Sequence, residues 1–293
     1  MVDLSSSIPV PRPVSLPVYQ VDAFTSQNFG GNPASVVILD DWLADETLQN
    51  IAAELNLSET AFVVGRHLRW FTPRMEVDLC GHATLASAFL LAKEFAVPDN
   101  PIVFDTRSGP LTVAWKEDDF TLNFPAWQTH ETTIPLAQIE DALGVSVEEV
   151  LTATDRYVCI VGQSNIVAAL RPNFLKLAQL PLPGLVVSAQ TDGGFDFVSR
   201  YFAPAKGVPE DPVTGTSHCI LAPLWGKRLN KKLLRARQLS PRGGDITCRL
   251  FEDRVELSGQ ARLFSRGRIY LDDARGPSDK RPGTGYDTRD LIR

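Results

Sequence analysis

The segment His82–Ala92 reads HATLASAFLLA, carries no charge on any side, and opens directly after Gly81. A helix that is apolar around its whole circumference has no face to offer water, so other elements must enclose it. Around it stand short β-rich runs punctuated by turn residues: Val18–Phe24, Ala34–Leu39, Thr60–Val64, Leu68–Thr72, Ile102–Thr106, Leu111–Trp115 and Phe120–Phe124. Many short strands beside one fully apolar helix predict a barrel-like sheet closed over that helix. A second, amphipathic helix is predicted over Asp45–Leu55, where Leu48, Ile51, Ala52 and Leu55 share one face and Asp45 can cap the N-terminus.

The pattern occurs twice. Phe71-Thr72-Pro73 precedes Cys80-Gly81-His82, and Phe202-Ala203-Pro204 precedes Thr214-Gly215-Thr216-Ser217-His218, each ending in a glycine-led apolar helix. Strand-like runs again flank the second copy: Tyr157–Val161, Ile166–Leu170, Leu185–Ala189, Phe195–Phe202, Arg254–Leu257 and Arg268–Leu271. We therefore expect an α+β chain of two pseudo-symmetric lobes, each a β-barrel wrapped around a central apolar helix. The lobes are expected over residues 18–127 and 128–271, with the last strand free to return to the first lobe. Residues 1–17 and 272–293, polar and rich in turn formers, are expected to be tails.

Charge and cysteine usage exclude several classes. Lys plus Arg is 29 against 35 Asp plus Glu, a net charge of −6, which suits a phosphate backbone poorly, so nucleic acid is not expected as a partner. The basic run Lys227–Arg237 alternates with leucines and reads as a solvated face. Cys80, Cys159, Cys219 and Cys248 are widely spaced, with neither a disulfide framework nor a zinc motif, so reduced thiols and a cytoplasmic setting are expected. No stretch reaches the length of a membrane span, and no charged-then-apolar leader opens the chain.

Chemistry is concentrated at the two glycine-led entrances. A helix N-terminus presents free N–H groups to anions, and glycine lets a ligand approach closely. If the lobes face each other, Gly81 and Gly215 bring two such entrances to one cleft, suited to a carboxylate or a developing enolate; a tight turn explains either glycine equally well. Ser58-Glu59-Thr60 places a carboxylate between the predicted helix and a strand, poised as general acid or base if desolvated and otherwise an ordinary solvated loop glutamate. His82, favoured in its neutral form at a helix start, can bind substrate, relay a proton or merely cap. Asp211 of Glu210-Asp211 can cap the second helix or touch substrate. Asn32, in Gly30-Gly31-Asn32-Pro33, can reach a ligand or only shape the turn, and no P-loop lysine follows. His218, one turn inside its helix, reads as structural, and His67 and His130 carry no signal.

Taken in order, Asn56-Leu-Ser-Glu59-Thr, Asp78-Leu-Cys-Gly-His82-Ala-Thr, Glu210-Asp-Pro-Val-Thr-Gly-Thr-Ser-His218, Gly31-Asn32-Pro33 and Val255-Glu-Leu-Ser-Gly259-Gln-Ala resemble the phenazine-biosynthesis PhzF-like family. The resemblance runs from about Val18 to Leu271 and implies the diaminopimelate-epimerase-like fold, with the active site between its lobes. It implies a cofactor-independent, metal-free isomerase, commonly a homodimer, in which the glutamate at Glu59 moves a proton on a small carboxylate-bearing substrate. His82 and Asp211 would assist catalysis, and Asn32, Ser58, Gly81, Gly215 and Thr216 would line the substrate. Cys80 and Thr216 stand where the phenazine-pathway isomerase has an apolar residue and a serine, and Pro212-Val213 is absent from its motif. The chain is in this respect more similar to the MAWD-binding-protein-like branch. Two alternatives remain at this stage. One is a dehydratase or epimerase built on Cys80 and Thr214, as in amino-acid racemases that carry a thiol before each entrance glycine. The other is a non-catalytic binding protein on the same fold.

Overall fold

The computed structural model describes residues 14–272, and the remainder of both expected tails lies outside the described residues. The first half contains β1 (Val14–Ala23), β2 (Asn32–Leu39), α1 (Asp45–Leu55), β3 (Glu59–Val64), β4 (His67–Phe71), β5 (Glu76–Val77), α2 (Gly81–Phe89), β6 (Ile102–Phe104), β7 (Leu111–Lys116) and β8 (Asp119–Pro125). A π-helical turn, Leu90–Glu94, continues α2. The second half opens with β9 (His130–Glu131), α3 (Leu136–Leu143), β10 (Glu149–Ala153), β11 (Arg156–Ile160), α4 (Ser164–Ala169) and α5 (Phe174–Leu177). It closes with β12 (Gly184–Gln190), β13 (Phe197–Ala203), β14 (Val208–Asp211), α6 (Gly215–Leu229), β15 (Leu233–Gln238), β16 (Gly244–Leu250) and β17 (Arg254–Leu271). The result is a mixed α+β protein dominated by sheet, with every strand joined into one hydrogen-bonded network.

One order of pairing recurs in the two halves. β1 pairs antiparallel with β2, β2 runs parallel to β3 across α1, and β3, β4 and β5 continue antiparallel before α2. Likewise β10 pairs antiparallel with β11, β11 runs parallel to β12 across α4 and α5, and β12, β13 and β14 continue antiparallel before α6. Each apolar helix is then followed by an antiparallel trio, β6–β7–β8 in one half and β15–β16–β17 in the other.

Strands buried on both faces explain the near-continuous apolar runs of the sequence. On β2 and β3, Val36, Ala61 and Val63 face the central core that holds α2, whereas Val37, Leu39 and Phe62 pack beneath Leu48, Ile51 and Ala52 of α1. On β11 and β12, Val158, Ile160 and Val186 enter the same central core, and Tyr157, Cys159, Leu185 and Val187 face the α3–α5 side. The central core unites Leu85 and Ala86 of α2 with Ile220 and Leu221 of α6, so the halves share one interior.

Four local expectations are corrected. Ile166–Leu170 is not a strand: Ser164–Ala169 is the short helix α4, since a five-residue apolar run carries no usable period and here only Val167 is its buried residue. Arg254–Leu257 and Arg268–Leu271 are the two ends of the single strand β17, whose polar middle hid its continuity. Its first part pairs with β16 and β8 and its second with β1, so the last strand does return to the first half. Gly259 sits at the crossover because a Cβ there would lie 2.5 Å from the ring of Phe24. Residues 14–17, expected in the tail, begin β1. Asp45 does not cap α1; Ala44 holds the cap position, and the Asp45 carboxylate accepts from Arg69 at 2.9 Å.

The four cysteines are buried free thiols. The basic run forms the end of α6 and β15 and is paired with acids, Arg228 with Glu149, Lys231 with Asp196 at 2.6 Å and Arg237 with Asp245 at 2.6 Å. Among the described residues no helix is long and apolar enough to cross a membrane.

Candidate active site where two helix N-termini meet

The entrances of α2 and α6 stand end to end. A Cβ built on Gly81 would lie 3.5 Å from the Cα of Gly215, and the reverse distance is also 3.5 Å. Neither glycine has a positive φ, so what each contributes here is the missing side chain, which lets two helix N-termini approach. Conformational freedom matters instead at Gly31, with φ +68° and a Cβ position 2.2 Å from the carbonyl of Ala23. That turn delivers the next residue, Asn32, to the junction. Arg242 clamps the turn from the other half by donating to the carbonyls of Gly30 and Gly31 at 2.8 and 2.9 Å.

Asn32 is wholly buried, and its amide nitrogen donates to Asp211 Oδ1 at 2.8 Å and Val213 O at 2.9 Å, tying β2 to the approach of α6. The same nitrogen lies 3.1 Å from His82 Nδ1. An amide nitrogen only donates, so Nδ1 is an acceptor and the ring proton belongs on Nε2. Nε2 lies 3.2 Å from Glu59 Oε2 yet outside hydrogen-bond geometry, which leaves it without a partner. Burial drives the His82 pKa down to about 3, so the ring is neutral. A neutral imidazole in a closed site relays protons without adding a charge.

Glu59 begins β3, directly after the bend that holds half-buried Ser58, and its side chain retains 19% exposure. Its pKa is raised, first by burial and then by the negative charge of Asp211; a hydrogen bond from the Cys80 thiol and the charge of Lys206 pull it partly back. The Asp211 pKa is also raised by burial, against hydrogen bonds from Thr214 and Asn32. A carboxyl moved toward neutrality is matched to general acid–base work at ordinary pH. Cys80, 3.5 Å from His82 Nδ1, is held as a thiol well above the usual cysteine range by burial and by Glu59.

The second entrance is tied down more tightly. Thr214 donates a short hydrogen bond to Asp211 Oδ2, its amide donates to Gln238 Oε1 at 2.9 Å, and Gln238 Nε2 donates to the carbonyl of Asp211 at 2.6 Å. Neither helix has a side-chain N-cap, so Asp211 and His82 are not capping residues. Glu210 takes no part: it forms a bidentate pair with Arg200 at 2.7 and 2.8 Å, and only Asp211 turns to the junction. Thr216 accepts from buried Arg156 at 3.2 Å, as does Ser217 at 2.9 Å, and Arg156 is held by Asp155 at 3.0 Å and by the Tyr201 ring 4.6 Å away. His218 is structural as expected: Nδ1 pairs with Thr214 O at 2.8 Å and burial lowers its pKa to about 4.

Arg156 and Gln238 are absent from the sequence reading. Each is a polar residue at one end of a strand, and only its burial reveals its task. One group among the described residues has the makings of a cation site, Glu59, Cys80 and His82, whose donor atoms lie within 4.8 Å of one another.

Residues 21–267 match the phenazine biosynthesis-like protein family. The chain is 48% identical over 264 residues to an uncharacterized isomerase of Pseudomonas aeruginosa, covering 88% of this chain and all of that one. It is 37% identical over 288 residues to a phenazine biosynthesis-like domain-containing protein of Bos taurus, covering 87% and 99%. A crystal structure of a PhzF-family protein from Enterococcus faecalis superposes with a TM-score of 0.84 at 46% identity, covering 88% and 100%. A hydroxyproline epimerase from Agrobacterium vitis shares the fold at a TM-score of 0.58 and 14% identity, covering 91% and 94%.

Proposed function

Because this chain belongs to the phenazine biosynthesis-like family, we propose that it is a cofactor-independent isomerase whose Glu59 transfers a proton on a small, carboxylate-bearing substrate. The relatives named as isomerases support the reaction class. In this reading the substrate sits between two pseudo-symmetric lobes, each a barrel around its apolar helix, and the repeated pairing order of the two halves supports that architecture. The protein works as a cytoplasmic homodimer.

The observation that carries the reading is the convergence of Glu59, neutral His82 and Asp211 on the point where α2 and α6 meet. The helix N-termini stabilise negative charge on the substrate carboxylate and on the enol-like species that forms as a proton leaves carbon. Glu59 takes that proton or returns it at a second atom, and its raised pKa keeps both forms accessible. His82 directs Nε2 toward the Glu59 carboxyl, and Asn32 holds His82 and Asp211 in register. Thr216 accepts from Arg156, so its own hydroxyl proton is free to donate to a substrate oxygen. Ser58, half-buried in the preceding bend, would line the substrate.

The Cys80/Thr214 chemistry is less well supported, since the Cys80 thiol resists ionisation and the Thr214 hydroxyl is committed to Asp211. The test is solvent-deuterium incorporation followed by NMR. Wild type and Glu59→Gln would be incubated in D₂O with trans-2,3-dihydro-3-hydroxyanthranilate and a panel of amino and hydroxy acids. Deuterium on substrate carbon with wild type, lost in the variant, is the expected result. Turnover that Glu59→Gln spares and Cys80→Ala abolishes would overturn it, and a stoichiometric protein partner that survives substitution of Glu59, His82 and Asp211 would replace catalysis with binding.

A further inference from the structure

The loops that precede α2 and α6 carry cations that the proton-transfer reading leaves unused. Both follow an F-x-P strand end. The β4–β5 loop supplies Arg74 after Phe71-Thr72-Pro73, and the β13–β14 loop supplies Lys206 and Gly207 after Phe202-Ala203-Pro204. The two loops meet across the halves. A Cβ on Gly207 would lie 2.8 Å from Arg74 Nε and 3.0 Å from its Cζ, so the guanidinium lies against bare backbone, which turns there with φ +84°. Contacts then run from this meeting point to the junction of the helices. Lys206 Nζ is ion-paired with Asp155, Asp155 Oδ1 accepts from Arg156 Nε at 3.0 Å, and Arg156 donates to Thr216 at the α6 entrance at 3.2 Å. The charge of Lys206 also reaches Glu59, where it eases the rise in pKa that burial and Asp211 cause.

The charges of these groups do not cancel. Asp155 has two cationic partners for its one negative charge. Burial alone would raise its pKa, but Arg156 and Lys206 hold it down at about 2, so it stays ionised and the trio keeps a positive charge. Arg74 adds a second, because it is exposed and has no acidic partner among the described residues. The acids nearest in sequence are engaged elsewhere, Glu76 by Arg69 at 2.7 Å and by Arg107 at 2.8 Å, and Glu210 by Arg200 at 2.7 Å. A guanidinium set against backbone beside a lysine suits an anion, and its planar fork matches a carboxylate or a phosphate. The helix N-termini already answer one substrate carboxylate, so these two cations call for another anionic group on the same molecule.

We propose that the substrate is a small dianionic acid, with one carboxylate held where α2 and α6 meet and a second anionic group, carboxylate or phosphate, held by Arg74 and Lys206. The inference rests on the proton-transfer reading for the first carboxylate and names the substrate class of that same site. Both cations are exposed, so their share of the binding weakens as salt rises.

Isothermal titration calorimetry of the full chain at low salt tests this with succinate, glutarate and phosphonoacetate, each against monomethyl glutarate, so that the two anionic groups are compared directly. A dianion should bind about tenfold more tightly than the half-ester, the weight of one hydrogen bond to a charged group. Arg74→Gln, an exposed change whose folding circular dichroism confirms, should bring that ratio close to one and leave the half-ester unaffected. Arg74→Lys should keep part of the preference, and Lys206→Gln should lower it. A ratio near one in wild type, no binding by any dianion, or a preference that Arg74→Gln and Lys206→Gln both leave intact would overturn the proposal. The proton-transfer reading fails separately: a dianion preference without Glu59-dependent deuterium exchange would keep the ligand and discard the chemistry. Glu59-dependent exchange on monoacids alone would do the reverse.

Discussion

The entrances of α2 and α6 are close to equivalent in backbone and opposite in what they do with protons. At α2, Cys80, His82 and Glu59 cluster with their protons undecided: a thiol that resists ionisation, a neutral ring with an unpartnered Nε2, and a carboxyl pushed toward neutrality. At α6 nearly every polar group is committed, with Asp211 accepting from Thr214 and Asn32, and Thr216 and Ser217 accepting from Arg156. Two helix N-termini offer the same field for anions. What separates them is the side-chain company, and under the proposed function it would divide the labour into a half that moves protons and a half that holds still.

The largest expected effect breaks that comparison directly. Glu59→Gln should lower kcat on any substrate found in the exchange screen by 10²–10⁴-fold, the usual contribution of a positioned acid–base, about 3–5 kcal/mol, with KM little changed. Thr216→Val, at the committed entrance, should instead raise KM about tenfold and leave kcat within a few-fold. Steady-state kinetics of both variants on one substrate decide the matter. Equal losses of kcat would mean that both entrances take part in the proton transfer.

Arg156 sharpens the contrast. Its Nη1 donates to Thr216 and Ser217, which forces both oxygens to accept and frees the Thr216 proton for the substrate. Arg156→Gln should cost about 2–3 kcal/mol in binding of a carboxylate substrate, read as a KM rise, because hydrogen bonds from a charged donor are lost. Arg156→Lys should not rescue it, since a point-like ammonium cannot hold two hydroxyls and Asp155 together. An amide analogue that lost as much affinity as the acid would show that Arg156 merely supports the fold.

Much of this was legible in the chain. The apolar runs that open after Gly81 and Gly215 announced burial, and their shared F-x-P prelude announced repetition; the structure places both, as α2 and α6, in a shared core. Asn32, Glu59, His82 and Asp211 stood out at turns and helix starts, where an ordinary structural role was open for each and only the resemblance to the family raised them; the structure brings the four together at the junction. Arg156 and Gln238 were not, because each reads as an ordinary polar residue at a strand end, and their roles arise from contacts across 61 and 24 residues. The strand β17 was seen only at its ends, since its middle is exposed or crosses between partners and so loses the apolar alternation that marks a strand.

The smallest expected effect tests whether the proton-moving entrance is bought at the expense of stability. The native state raises the Glu59 pKa above its ordinary value near 4.5, so between those two values the folded protein holds a proton that the unfolded chain has released. Stability then falls as pH rises through that window, and the ionised carboxylate remains a burden above it. Glu59→Gln removes the ionisation, so the variant should be more stable than wild type at pH 8 by about 1–2 kcal/mol and should lose that advantage near pH 4. Asp211→Asn should show no such gain, although burial also raises the Asp211 pKa, because its oxygens accept from Thr214 and Asn32 and an amide cannot serve both. The histidines act with the opposite sign. His82 and His218 fold as neutral rings with pKa lowered by burial to about 3 and about 4, so both sequences should lose stability alike as pH falls below 6.5. Chemical denaturation of wild type, Glu59→Gln and Asp211→Asn at pH 8, 6 and 4 separates these contributions. A Glu59→Gln gain that persisted unchanged at pH 4 would trace to packing rather than charge, and a matching gain in Asp211→Asn would erase the distinction between the two entrances.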